Sequence, residues 1–364
     1  MAQISLISPK AYQAWDYRNP DDPGIGGSET MHVEMATRLA ARGHFVTSYS
    51  PIRPDTLPLY RGVTWRDLSQ LDPEDPGLYI LIRAIEWLDK FEYDERQRIW
   101  AVFQDVDTYG PWDFDWRHKL DRIIALCPDH EASLKTRHPD FASKVCLSRN
   151  GLRGDLVDHT LRGTLAPRNP HRLMYASSPD RGLLGLTQAF KLIRFLVPDA
   201  ELHVFYGWDN IDTFSHGAVK WHQERVFQAC QQPGLILRGR IGQPELYREW
   251  TQTGLMCAPT NFTETGYITL MEAQALGAIP VCNPIWAAKE NQLAGIAIEG
   301  DAEHDPMTIR RYAMAAVHLL MHPEIQEALR PSMMQIARKA FDWEEVVSQY
   351  ETWIAEDFEG EDRL

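Results

Sequence analysis

Short apolar runs, each closed by turn-forming residues, recur along the chain and set out its elements. Residues 3 to 8 read as a strand, and "GHFVTSYSP", from Gly43 to Pro51, contains a second. Between them Met31, Met35 and Leu39 recur every four residues, which predicts a helix from Glu29 to Arg42 with Ser28 available as its cap and Gly43 ending it. Further strands are expected at Leu78 to Ile82, Ile99 to Phe103, Arg122 to Leu126 and Val145 to Leu147. Strands that alternate with helices imply an α/β architecture, with a mostly parallel sheet covered on both faces.

The pattern lapses around "TLRGTLAPRNPHRL", where proline, glycine and arginine take over, and a domain boundary is expected near residue 168. A second alternating series follows. Its strands are Leu173 to Ala176, Leu202 to Tyr206, Ile236 to Arg238, Leu255 to Pro259 and Ile279 to Cys282. Helices are expected at Leu183 to Leu196 and at Ile268 to Leu276, the latter ended by Gly277. The expected domains are therefore 1–168 and 169–341, followed by 342–364. In that last segment "DWEEVVSQYETWI" sets Trp343, Val346, Val347, Tyr350 and Trp353 at helical spacing, as in a packing helix.

Composition narrows the class. A chain of 364 residues exceeds one ordinary core, and 44% hydrophobic with 24% charged residues fits a globular enzyme, not a disordered or fibrous chain. No run has the length of a membrane span, so stable membrane insertion is not expected. The opening "MAQISLISP" is too short and too uncharged for a signal peptide, and a cytoplasmic location is expected. The cysteines Cys127, Cys146, Cys230, Cys257 and Cys282 have no paired spacing and read as reduced core residues. A net charge of −14 opposes non-specific attraction to nucleic acid, although a local basic patch could override it.

Four stretches carry candidate chemistry. In "ETGYITLMEAQALGAIPV" Glu264 stands at the mouth of an apolar helix and Glu272 inside it, about 80° further round at ~100° per residue, so that both can face one crevice. A helix start flanked by a loop suits a phosphate. Favourable charge at a helix start, and a half-buried carboxylate paired with a lysine or arginine, explain the two glutamates equally well. In "PGIGGSET" Gly26 and Gly27 allow close backbone approach to a ligand, or simply a tight turn. "YASSPDRGLLGL" sets Arg181 between a strand and a helix, where an arginine can neutralise a diphosphate or lie on the surface. The triplets "DVD" (Asp105 to Asp107) and "DFD" (Asp113 to Asp115) invite a metal, but they lack an evident third ligand and read better as a solvated or acceptor-facing loop.

Taken in order, these motifs resemble the retaining glycosyltransferases of family four over nearly the whole length. The resemblance rests on "GGSE" (26 to 29), "RNGL" (149 to 152), "SSPDRGL" (177 to 183), "LRGRI" (237 to 241), "ETGYITLME" (264 to 272) and the tryptophan-bearing C-terminal helix. It implies the GT-B fold, two Rossmann-like domains facing a cleft, with residues 342–364 crossing back to the first. It also implies a retaining transfer from a nucleoside-diphosphate sugar, and, with no convincing ligand set around the two acidic triplets, neither cofactor nor metal is expected. By the same resemblance Glu264 holds the donor sugar, Glu272 the ribose, and Arg181 the leaving diphosphate. Gly266, Tyr267 and Ile268 offer it backbone N–H groups, while Gly26 and Gly27 approach from the first domain. Arg240 and Ile241 lie where the base is held, and Gln104, Asp105 and Asn150 fall on the acceptor and sugar side.

Two departures stand out. Ser177 and Ser178 occupy the region of a second basic residue, and Gln104 stands where many members have a histidine. A non-catalytic sugar-nucleotide or glycan-binding module on the same scaffold is the alternative. The acceptor is open among a saccharide, a lipid-linked sugar, a small molecule and a modified nucleobase. Aromatic loops at 11 to 22 and 107 to 116 could stack on a sugar or base, or pack beneath the loops.

Overall fold

The computed structural model describes residues 1–11, 13–104, 112–163, 166–206 and 218–359, with side chains for all of these except 218–223 and 359. The chain divides into two compact units. One comprises Met1–Pro20, Ile25–Gly151 and Asp342–Leu364, the other Asp21–Gly24 and Leu152–Phe341. In this division Leu152 opens the main stretch of the second unit. The helix Gly154–Gly163 packs on the helix Gln243–Thr251 of the second unit, and a strand of that unit begins at Asn169.

The first unit holds β1 (Gln3–Ile7), β2 (Phe45–Ser50), β3 (Leu59–Tyr60), β4 (Val63–Asp67), β5 (Gly77–Ile82), β6 (Gln97–Val102), β7 (Arg122–Ala125) and β8 (Val145–Leu147). They form one sheet in the order β3-β4-β2-β1-β5-β6-β7-β8, parallel except for the β3–β4 pair. That short antiparallel edge escapes a periodicity reading because β3 is only two residues long. Successive side chains point to opposite faces of a strand. Ile4, Leu6, Leu78, Ile80, Ile82, Trp100 and Val102 accordingly join one core cluster, and Ile7, Tyr79, Leu81, Ile99 and Ala101 another. Both faces being buried, these strands read in the sequence as continuous apolar runs.

The first of those clusters also takes Met31, Met35 and Leu39 from the helix Gly27–Ala41, and Trp343, Val346, Val347 and Tyr350 from the helix Trp343–Glu359. Gly26, not Ser28, stands at the N-cap of the former, and Ser28 lies inside its first turn. The latter is fastened by Asp357, whose carboxylate takes the Trp100 indole N–H at 2.8 Å and pairs with Arg122 at 2.5 Å. Gly151 makes room for it, since a Cβ there would stand 2.6 Å from the Trp343 ring.

The second unit has six parallel strands, β9 (Asn169–Tyr175), β10 (Glu201–Phe205), β11 (Leu235–Gly239), β12 (Thr253–Ala258), β13 (Ile279–Cys282) and β14 (Ile296–Ala297). Their order is β11-β10-β9-β12-β13-β14. From β9 the chain builds outward through β10 and β11, then returns to lay β12 on the other side. The connections leaving β9 and β12 therefore lead to opposite ends of the sheet, the reversal at which such a sheet offers a crevice at the carboxyl ends of two neighbouring strands. The helices Leu183–Leu196 and Pro306–Met321 pack together on one face, closing a core that includes Leu173, Tyr175, Leu255, Cys257, Ile279 and Val281.

Candidate functional site

The crevice between β9 and β12 is shaped by one buried tyrosine and one glycine. Tyr175 ends β9, and its hydroxyl reaches back to the Ser178 carbonyl at 2.6 Å and the Arg181 carbonyl at 3.1 Å, folding the loop over its own strand. Gly182 then turns with φ +98°, and a Cβ there would stand 2.1 Å from the Pro259 carbonyl oxygen. Only glycine combines that backbone with so close an approach. The two loops are thus held side by side, and Arg181 Nη1 meets Glu264 Oε1 at 2.7 Å. The guanidinium lies over the Phe262 ring, 4.1 Å from its centre. Burial acts to lower the Arg181 pKa, but the Glu264 carboxylate more than offsets it and the pKa stands raised. Among the described residues its Nε–H finds no acceptor, so the cation keeps a donor to spare.

Glu264 does not belong to the helix that follows. The helix is Ile268–Ala275, entered through Tyr267 at φ +45°, and Glu264 sits in the loop before it. The expected 80° between the two glutamates therefore has no basis in helical phase. Asn291 donates to the Gly266 carbonyl at 3.0 Å, and the Tyr267 ring is 5% exposed, so the helix mouth is anchored from beneath. The N–H groups of a first helical turn have no acceptor within their own helix and carry its positive dipole end. That edge begins at Ile268, and Gly266 and Tyr267 lead into it from Glu264.

Glu272 belongs to a second group. It is 1% exposed and accepts from Gln243 Nε2 at 2.8 Å. Burial pushes its pKa up to about 7, against the lowering effects of the Tyr247 hydroxyl, the Gln243 amide and Arg153. Among the described residues the group that donates to it is the Gln243 amide, with the Tyr247 hydroxyl near, and not a lysine or arginine. Gln243 Oε1 in turn accepts from Arg153 Nη1 at 3.0 Å, and Arg153 pairs with Asp21 at 2.5 Å. The segment Asp21–Gly24 lies tightly on the turn after β11. Cβ atoms at Gly24 and Gly242 would stand 2.3 Å from the Ile241 carbonyl oxygen and 1.7 Å from that of Asp21. Arg240, in the same turn, covers the Tyr206 ring at 4.7 Å.

In the first unit Gly26 precedes the helix, and its carbonyl accepts from the Thr30 hydroxyl at 3.0 Å. A Cβ at Gly26 would stand 2.5 Å from Glu29 Oε2. Gln104 and Asn150 face each other, each amide nitrogen 3.2 Å from the other's oxygen. Asp105 and the rest of "DVD" lie outside the described residues. In "DFD" the Asp113 carboxylate accepts the Asp115 N–H at 2.9 Å, which makes a turn of it. No group of three metal-binding side chains occurs among the described residues, and none of their helices is long and apolar enough to cross a membrane.

The structure thus joins Arg181 to Glu264 beside the helix mouth and places Glu272 in its own network. Tyr175, Arg153, Gln243 and Tyr247 were missed by sequence reasoning. A signal existed for Gln243, since "GQPE" sets it just ahead of a proline in a helix start, directly after a strand.

No model of a known protein family matches the chain, and no curated protein does. Solved structures match it over nearly its full length. Sucrose-phosphate synthase from Thermosynechococcus elongatus superposes with a TM-score of 0.73 at 15% identity, over 99% of this chain and 100% of that one. HepE of Anabaena, solved with UDP and glucose, does so with 0.67 at 13%, over 98% and 100%. The catalytic domain of starch synthase IV from Arabidopsis thaliana, bound to ADP and acarbose, gives 0.68 at 12%, over 98% and 99%. The chain has the GT-B fold of these glycosyltransferases.

Proposed function

We propose that the chain is a retaining glycosyltransferase that moves a sugar from a nucleoside-diphosphate sugar to an acceptor hydroxyl without a metal ion. The observation that carries this is the Arg181–Glu264 pair at the reversal point of the second sheet, next to the start of the helix Ile268–Ala275. Negative charge grows on the diphosphate as the bond to the anomeric carbon breaks. Arg181 and the amides at Gly266, Tyr267 and Ile268 are placed to stabilise it, the part otherwise taken by a divalent cation. Glu264 then accepts from the sugar hydroxyls and Glu272 from the ribose. The acceptor oxygen attacks from the face the diphosphate leaves, and a diphosphate oxygen takes its proton. The UDP and ADP seen in HepE and in starch synthase IV support a nucleotide in this place. By resemblance Gln104 and Asn150 are assigned to the acceptor and sugar side, with a glutamine at 104 where many such enzymes have a histidine.

The test is donor turnover measured with a panel of nucleotide sugars, with the configuration of the product read out and a chelator present. The parent should transfer or hydrolyse one donor with retention, and chelation should leave the rate unchanged. Arg181→Ala should lower the turnover number at saturating donor by on the order of 10²-fold, and Arg181→Lys should recover part of the loss. Binding of a donor with no turnover would favour a non-catalytic module, and a rate that returns only on adding magnesium or manganese would overturn the metal-free step.

A further inference from the structure

Gln243 stands between two groups that ask opposite things of an amide. Its Nε2 lies 2.8 Å from Glu272 and its Oε1 accepts from Arg153 at 3.0 Å. An arginine has only donors, so Arg153 fixes which end of the amide it meets. The NH2 end is thereby turned on Glu272. Arg153 is itself held in place by Asp21 at 2.5 Å, with 13% of its side chain exposed against 53% for Asp21. A carboxylate facing an N–H donor is favoured as an acceptor, whereas the protonated acid would have a proton of its own to place.

We propose that Gln243, its amide oriented by the Asp21–Arg153 pair, is the positioning residue that keeps Glu272 a hydrogen-bond acceptor for a vicinal diol, the two hydroxyls of a ribose. This rests on the reading of the site as nucleotide-binding. The neighbours acting on Glu272 are Tyr247 and Gln243, from the helix Gln243–Thr251, and Arg153. The helix Pro323–Ala340 also packs on the Glu272 helix, but its Arg330 donates to the Gly277 carbonyl at 3.0 Å, beyond the helix end. With Glu272 pushed up to about 7, loss of one donor moves its ionisation further into the neutral range. A diol bound through both oxygens loses affinity as the carboxylate takes up a proton. Gln243 therefore sets the pH below which nucleotide binding fades.

The experiment is calorimetric titration of UDP and ADP into the full chain from about pH 5.5 to about pH 9, for the parent, Gln243→Leu, Gln243→Lys, Arg153→Lys and Glu272→Gln. Taking the ratio of each variant to the parent at every pH removes the ionisation of the nucleotide itself. Gln243→Leu should bind about tenfold more weakly below pH 7 and converge with the parent near pH 9, its midpoint raised by about one unit. Gln243→Lys puts a cation beside the carboxylate and should move the midpoint the other way. Arg153→Lys, which keeps the charge but loses the fork that orients the amide, should shift it up by less than Gln243→Leu. A loss equal at every pH, or Leu and Lys variants moving together, would make Gln243 a merely structural residue and overturn the inference while leaving the nucleotide site standing. A parent that binds neither nucleotide, or a Glu272→Gln variant that binds both as the parent does, would overturn the nucleotide reading and the inference with it.

Discussion

At the scale of single residues, the site contains a carboxylate kept where the fold would rather not have one. Glu272 has its pKa pushed from 4.5 to about 7 by burial. A group raised in the folded state contributes stability that is fully present below its unfolded value and is lost as pH rises through the folded one. The parent should therefore lose stability between about pH 4.5 and pH 7 on account of this residue. Glu272→Gln removes the charge and keeps an acceptor for Gln243. It should unfold at higher denaturant concentration than the parent at pH 8, by on the order of 2–3 kcal/mol, and match it near pH 4. Chemical denaturation at the two pH values checks the sign. Nucleotide affinity should fall in the same variant, so stability and binding are opposed at one position.

At the scale of elements, the loops at the crevice depend on a single backbone choice. Gly182 has φ +98° and almost touches Pro259, so Gly182→Ala meets both a strained backbone and a clash. The loop must lift, and with it the alignment of Arg181 on Glu264. We expect Gly182→Ala to cost on the order of 2 kcal/mol in stability, and to lower turnover as Arg181→Ala does, as thermal unfolding and saturating kinetics would show.

Elements of this kind were largely legible in advance. The helix Leu183–Leu196 and the strand Ile279–Cys282 have the boundaries their patterns predict, because each is a buried run between clear stops. The edge strands β3 and β14 were not, being two residues long, with too few positions to show a period. Arg181 and Glu264 could be singled out from their places between strand and helix. That they meet each other could not, since it depends on Tyr175 and Gly182 bending one loop toward another. Glu272 could be singled out too, but its partner could not. Arg153 is 90 residues from Gln243 along the chain, and nothing local in either stretch announces the other.

At the scale of the whole molecule, neither unit is one uninterrupted stretch of chain. The residues Asp21–Gly24 belong with the second unit, and the helix Trp343–Glu359 supplies Trp343, Val346, Val347 and Tyr350 to the core of the first. Trp343 is 2% exposed and lies against Gly151, which has no side chain to fill the space it would leave. Trp343→Ala should destabilise the first unit by about 3–5 kcal/mol. Protease cutting should then appear first within residues 25–151, while the second unit resists, and mass spectrometry of the early fragments would decide it.

The same helix has a consequence for synthesis. A chain leaves the ribosome from its N-terminal end, and domains commonly fold as they emerge. Here β1 to β8 emerge before β9 to β14, but one face of their sheet is covered only in part, by the helix Gly27–Ala41, until Trp343 and Tyr350 arrive after β14 has been made. The second unit is complete in sequence by Phe341 and can close before the first. Throughout the synthesis of β9 to β14 the sheet of the first unit carries a partly open apolar face, the condition in which a nascent chain recruits a chaperone, and the helix Trp343–Glu359 is the one that closes it.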